Sequence, residues 1–323
     1  MKLKDSLFGL VALITIASVS FALYRIDSSA TLKLSSKFPQ WVSAEGKFPD
    51  QTSGIAYIRS DGNKKYFLLA DDIGELHTLV LAEDTVHSLN TITFSPTAEG
   101  VFPTDQKWDF EEIVYDRFTN SVYLSFEGNG RNYSEGNGIY KLKFKNNDPL
   151  SGYVAACEKI KFKDEELLKK YLYDNIGYEG VAVDSLYLYL GLEGFTKGAL
   201  FADSTFIYVI DKKSLETVGV VGTKQIGIGT ICGLHSLGER NLVGVDRNQL
   251  AIFTLVLNSD FSVAESKLYH HEGRIPGNHH KVYFSSLESI TADEEGSIYV
   301  MDDPWKKYFI PDEAVLSSLD TQT

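Results

Sequence analysis

The chain has 323 residues, 44 acidic against 31 basic side chains, a net charge of −13, and 43% hydrophobic and 12% aromatic residues. That charge argues against nucleic acid or an anionic membrane face as a partner, whereas cations are compatible with it and solubility alone accounts for much of it. The apolar fraction supplies ample material for a core, and no long Gly/Ser/Pro linker interrupts the chain after residue 50.

Residues 1–24 stand apart from the rest. Lys2 and Lys4 precede the apolar run Leu7–Tyr24, and Ser20-Phe21-Ala22 is a small-x-small cleavage pattern. The segment reads as a secretory signal or, at 18 residues, as a membrane anchor with its lysines inside. Both place the folded part outside the cytoplasm: periplasmic, at the cell surface or secreted. Any membrane contact would run through this segment alone.

From residue 31 onward the chain repeats one unit. Leu32–Phe38 alternates as a short strand. Ser53-Gly-Ile-Ala-Tyr57 then precedes Tyr66–Asp72, and Glu111–Asp116 precedes Ser121–Gly128. Glu179-Gly-Val-Ala-Val-Asp184 precedes Tyr187–Glu193, Cys232–Ser236 precedes Asn241–Asp246, and Glu288–Asp293 precedes Ser297–Asp303. Each is a pair of strands with a tight turn, the first rich in small and β-branched residues, the second ending on an acid. The starts at 53, 111, 179, 232 and 288 lie 53 to 68 residues apart, compatible with propeller blades carrying long loops.

Two further strand-like runs follow each of the first four pairs, at 76–81 and 89–94, 138–144 and 154–162, 206–210 and 217–221, 250–257 and 263–270. Asp164–Tyr171 reads as a short capped helix that lengthens one interval. The last repeat lacks an outer strand, with a third strand expected at 307–310. The Leu32–Phe38 strand is expected to fill the gap and close the ring without exposed sheet edges. The expectation is an all-β, five-bladed β-propeller over 31–312, with a polar tail at 313–323; six blades, using 31–50 more fully, is the alternative. Cys157 falls on an outer strand and Cys232 on an inner one, too far apart for a disulfide, so both are expected free and buried.

Ser53-Gly-Ile-Ala-Tyr57, Tyr178–Asp184 and Leu287–Asp293, with the strand ends Leu69-Ala-Asp-Asp72 and Tyr299-Val-Met-Asp-Asp303, resemble the blades of phytase-like, esterase-type β-propellers and of the related SdiA-regulated propellers. The resemblance covers residues 50–305 and implies an extracytoplasmic hydrolase of phosphate or carboxylic esters. The Asp-rich calcium and phosphate signature of true β-propeller phytases is absent.

The acids suggest chemistry of their own. If first strands start and second strands end at one end of the ring, Glu111, Glu179 and Glu288 meet Asp72, Glu127, Glu193, Asp246 and Asp302 around one mouth. Carboxylates that close must take up protons or bind a cation, and a ring of oxygens suits Ca²⁺. Backbone caps and local ion pairs are the structural alternative. A base follows several of these acids, and Arg131, Lys197, Arg247 and Lys306 are candidates to hold a small anionic substrate. His279 and His280, in the long loop before Glu288, are candidate general bases or ligands. His235 reads as a hydrogen-bonded core residue. Neither a Gly-x-Ser-x-Gly elbow nor a His-Glu-x-x-His pair occurs. Two functions follow: a calcium-dependent ester hydrolase, or a non-catalytic propeller that binds a peptide or ligand around a structural cation.

Overall fold

The structure, a computed structural model, describes residues 30–31, 33–35, 37–194, 204–270, 286–302 and 315–320. Three short N-terminal strands, β1 (Ala30–Thr31), β2 (Lys33–Leu34) and β3 (Gln40–Trp41), precede five antiparallel meanders. The first comprises β4 (Thr52–Asp61), β5 (Lys64–Asp71), β6 (Leu76–Ala82) and β7 (Thr85–Phe94); the second β8 (Asp109–Asp116), β9 (Ser121–Glu127), β10 (Gly138–Phe144) and β11 (Tyr153–Lys159). The third comprises β12 (Gly180–Val183), β13 (Tyr187–Gly191), β14 (Phe206–Asp211) and β15 (Thr217–Gly222). The fourth comprises β16 (Gly233–Gly238), β17 (Asn241–Asp246), β18 (Ala251–Leu257) and β19 (Val263–His270), and the fifth β20 (Leu287–Ala292), β21 (Ile298–Asp302) and β22 (Val315–Asp320).

The first strands β4, β8, β12, β16 and β20 touch in that order, and β20 touches β4 again, so the meanders surround a central channel in a propeller-like ring. Parallel pairing of β7 with β11 joins the first two meanders into one eight-stranded sheet.

Strand alternation explains how one sheet serves two neighbours. On β13, Leu188 and Leu190 pack toward the second meander with Ile139 and Val114, while Tyr189 between them packs toward the fourth with Phe253 and Leu242. The ring closes in the same way: Phe67 and Leu79 of the first meander pack on Tyr299 and Met301 of the fifth. Near the channel the backbones come too close for side chains. A Cβ on Gly54 would lie 2.7 Å from Ile113 N, and one on Gly233 2.7 Å from Ser289 Cα. Gly54 and Gly233 are thus packing requirements where neighbouring first strands meet.

The closure differs in detail from the expectation. Val315–Asp320, read from sequence as part of a polar tail, is a strand that pairs with β21 along its length. Its serines and terminal Asp hide the pattern, because backbone pairing does not depend on apolar side chains. The expected third strand at 307–310 lies outside the described residues. The N-terminal stretch is not one strand over 32–38: Ala30–Thr31 joins β19, and Lys33–Leu34 and Gln40–Trp41 both pair with β22. The helix expected before the third meander is present at Glu165–Lys169. Cys157 and Cys232 are free thiols; Cys232 is buried, but Cys157 is part-exposed because β11 is an outer strand.

Candidate functional site

Bulges aim the first strands' side chains at one end of the channel. Pairing slips between Thr52 and Gly54 on β4, between Phe110 and Ile113 on β8, and between Leu287 and Ser289 on β20. Each slip falls on the aligned position, Ser53, Glu111 or Glu288, and a bulge is the standard means of re-aiming a side chain. On β8 it spans both Glu111 and Glu112. Glu112 then lies inside the channel: its Oε1 accepts from Ile55 N at 3.3 Å and Ile113 N at 3.1 Å, and its Oε2 from Leu234 N at 3.4 Å.

At this end a cavity of about 150 Å³ is lined by Ser53, Asp72, Lys107, Asp109, Glu111, Asn175, Glu179, Glu193, Arg247 and Glu288. It has two halves. In the first, carboxylate oxygens of Asp109, Glu111 and Glu127 all lie within 4.8 Å of one another. Oxygens each about 2.4 Å from one Ca²⁺ can be no farther apart than that. Lys107 Nζ donates to Asp109 Oδ1 at 3.2 Å and lies 3.5 Å from Asp72 Oδ2, Asn129 Nδ2 donates to Asp109 Oδ2 at 3.1 Å, and Gln51 Nε2 donates to Asp72 Oδ2 at 2.7 Å. Glu127 Oε1 and Asp72 Oδ1 are buried without a hydrogen-bond partner.

The second half is organised by a guanidinium. Arg247 Nη1 donates to both Glu288 oxygens at 2.8 and 2.6 Å, and Nη2 donates to Glu193 Oε1 at 2.7 Å. Glu179 Oε2 lies 3.8 Å from Nη2. Ser286 Oγ adds a 2.5 Å bond to Glu288 Oε1.

Burial dominates the electrostatics. It pushes Glu111, Glu127 and Glu179 well above the usual carboxylate range, and neighbouring charges add to it: Glu127 on Glu111, Glu179 on Glu127, and Glu193 on Glu179. Asp72 rises from 3.8 to about 7 by burial, Lys107 opposing and Asp109 reinforcing the shift. Glu193 is raised by burial although Arg247 pulls it down. For Glu112 burial likewise outweighs the backbone N–H groups that it accepts. Without a cation, burial and mutual repulsion therefore favour the protonated forms in the first half.

The other sequence candidates fall as follows. Asp72, Glu111, Glu179, Glu193 and Glu288 line the cavity, and Glu127 stands behind Glu111. Asp246 is taken up by the segment before β16 and by the turn after β17, accepting from Gly229 N at 2.8 Å, Gln249 N at 3.0 Å and Gln249 Nε2 at 2.7 Å. Asp302 accepts from Ser286 N at 2.8 Å. Among the candidate anion-binding bases, Arg247 is engaged by carboxylates, and Arg131 is exposed on the 130–132 turn, away from the cavity wall. Lys197, Lys306, His279 and His280 lie outside the described residues. His235 is held near Thr291 Oγ1 at 3.5 Å, and burial lowers it to about 4.

Sequence reasoning missed Asp109, Lys107 and Glu112. The signal for Asp109 was its place two residues before Glu111, on the same face of an ideal strand. Nothing in the sequence marks the bulge that turns Glu112 inward. A larger groove of about 520 Å³ lies over the outer strands of the second meander, beside Lys141, Lys143 and Cys157, far from these acids in the fold.

No protein-family model matches the chain, and no curated protein sequence does. The likeness to phytase-like and SdiA-regulated propellers thus rests on strand motifs alone. Solved structures do match. The glutaminyl cyclase of Myxococcus xanthus superposes with a TM-score of 0.52 at 11% identity, covering 90% of this chain and 97% of that one. A glucose dehydrogenase gives 0.51 at 11% identity over 88% and 100%. A GH43 β-1,3-galactosidase solved with galactodeoxynojirimycin gives 0.50 at 12% identity over 89% and 94%. These are β-propeller-type enzymes, and the likeness establishes a propeller-like fold. At such identity it carries no chemistry.

Proposed function

We propose that the chain is a five-bladed β-propeller working outside the cytoplasm, which binds Ca²⁺ at Asp109, Glu111 and Glu127 and uses it to hydrolyse phosphate or carboxylic esters. The five meanders in cyclic contact support the blade count. The observation that carries the function is Glu127 Oε1. It is an oxygen on a side chain only 1% exposed, without a hydrogen-bond partner, within reach of two further carboxylates. An unmet buried acceptor is costly, and a hard cation meets it with the ligand type that Ca²⁺ prefers. Such an ion would polarise a phosphoryl or carbonyl oxygen and lower the pKa of bound water. Lys107, part-exposed on the cavity wall, would offset the charge of a small anionic substrate.

A second reading, a non-catalytic propeller that binds a peptide around a structural ion, is favoured by two observations. Arg247 is already taken by Glu288 and Glu193, and a cavity of about 150 Å³ is smaller than the roughly 300–1,000 Å³ of small-molecule sites. Calorimetry with Ca²⁺ on the purified full chain, followed by hydrolysis of p-nitrophenyl phosphate and p-nitrophenyl acetate with and without chelator, separates the two. Chelator-sensitive hydrolysis, lost in Glu127→Gln, supports the enzyme. Ca²⁺ binding without turnover supports the second reading, and no binding removes both.

A further inference from the structure

The repeats contribute unequally to the mouth. The first, second, third and fifth put Asp72, Asp109 with Glu111, Glu179 with Glu193, and Glu288 on the cavity wall. Among the described residues the fourth puts no carboxylate there. Its aligned position is Cys232, and Asp246 is bound to the backbone of Gly229, before β16, and of Gln249, in the turn after β17. Its contribution is the next residue, Arg247.

The place that Arg247 fills is one that a metal ion could fill. Ligand atoms of Glu179, Cys232 and Glu288 lie within 4.8 Å of one another. Glu179 is 7% exposed, and its Oε2 has no hydrogen-bond partner, the guanidinium standing 3.8 Å away. Nη1 to both oxygens of Glu288 and Nη2 to Glu193 hold the guanidinium between the two acids, a span from two fixed nitrogens that a single ammonium could not reproduce.

We infer that Arg247 is the resident cation of the mouth, standing where a second divalent ion would sit among Glu179, Cys232 and Glu288. It thereby limits the site to one exchangeable ion, on the Asp109–Glu111–Glu127 side. The count of one rests on the proposed Ca²⁺ site; the place of Arg247 does not. The mouth is then a one-metal-plus-guanidinium site instead of a two-metal clamp. Removing the guanidinium should uncover a carboxylate–thiol set suited to a softer divalent ion such as Cd²⁺.

The test counts ions on the full chain, wild type against Arg247→Met, by calorimetry with Ca²⁺ and then Cd²⁺. The expected result is one Ca²⁺ on the wild type and one additional divalent ion on Arg247→Met. Cd²⁺ should then produce a thiolate charge-transfer absorption that disappears in Arg247→Met/Cys232→Ser. An equal ion count in wild type and Arg247→Met overturns the inference, as does a wild type that binds two ions. If the uncompensated acids loosen the variant, its melting temperature carries the test: a larger rise with Cd²⁺ than in the wild type supports the inference, and equal rises overturn it. A wild type that binds no ion beside an Arg247→Met that binds one would remove the proposed Ca²⁺ site and leave this inference standing.

Discussion

Buried carboxylates stand at both ends of the channel, and they are treated differently. At the hairpin end, Asp184 Oδ1 accepts from Leu186 N at 2.7 Å and Tyr187 N at 2.8 Å, and its Oδ2 from Tyr189 OH at 2.8 Å. Asp293 Oδ1 accepts from Glu295 N at 3.0 Å and Ser297 N at 2.9 Å, while its Oδ2 takes Lys65 Nζ at 2.7 Å from the neighbouring meander. Asp116 is held by Phe118 N, Thr119 Oγ1 and Lys212. At the other end Glu127 is as buried as Asp116, yet one of its oxygens has nothing to accept. Burial alone does not mark a site. Unmet coordination does, because the fold carries its cost unless a ligand removes it.

The largest effect that would break this contrast belongs to the hairpin end. Asp184→Ala leaves two backbone N–H groups and the buried Tyr189 hydroxyl without their acceptor. It should cost about 3 kcal/mol in urea unfolding, with Ca²⁺ affinity unchanged. A shift in Ca²⁺ affinity as large as the stability loss would show that the two ends do not act separately.

Next comes pH. Asp72, Glu111 and Glu127 have folded pKa values above their unfolded ones. The folded state then holds more protons than the unfolded state, and stability falls as pH rises. For Asp72 the window runs from 3.8 to about 7. Through these groups ion-free protein should lose stability steadily above about pH 4, on the order of 2 kcal/mol of it between pH 5 and 8, after allowance for solvent screening. Saturating Ca²⁺ should flatten or reverse the slope. Ion-free stability that rises from pH 5 to 8 would contradict the protonated mouth.

The contrast was only half legible in the sequence. Internal repetition aligned Glu111, Glu179 and Glu288 with one another and Glu127 with Glu193, so the convergence of acids could be read from spacing alone. Orientation could not. Asp246 occupies the same repeat position as Glu127, but a turn at 247–249 brings Gln249 N to its carboxylate and removes it from the ring. Glu112 depends on a bulge, which slips the register by one residue and has no compositional mark on β8. Arg247 appeared as a base beside an acid; that it spans to Glu193 and Glu288 of two other meanders is a property of the closed ring.

Glu127→Gln tests the unmet oxygen itself. Gln keeps the shape and one acceptor but removes the charge, so Ca²⁺ affinity should fall at least about tenfold, ~1.4 kcal/mol. Ion-free stability should hold or rise slightly, since a buried acid is removed. Circular dichroism and calorimetry on the same samples separate loss of affinity from loss of fold.

The smallest expected effect concerns Glu179, whose repeat position equals that of Glu111 but whose surroundings do not. Its Oε2 faces Arg247 at 3.8 Å, and its ligand atom groups with Cys232 and Glu288, not with Asp109 and Glu127. If the guanidinium divides the mouth, Glu179→Gln removes a charge that attracts the ion only across a gap. Ca²⁺ affinity should weaken about threefold, ~0.6 kcal/mol, the scale of a screened charge out of contact. A tenfold loss, matching Glu127→Gln, would place the ion in contact with both halves. The mouth would then be one continuous ring of ligands, with Arg247 at its edge and not at its centre.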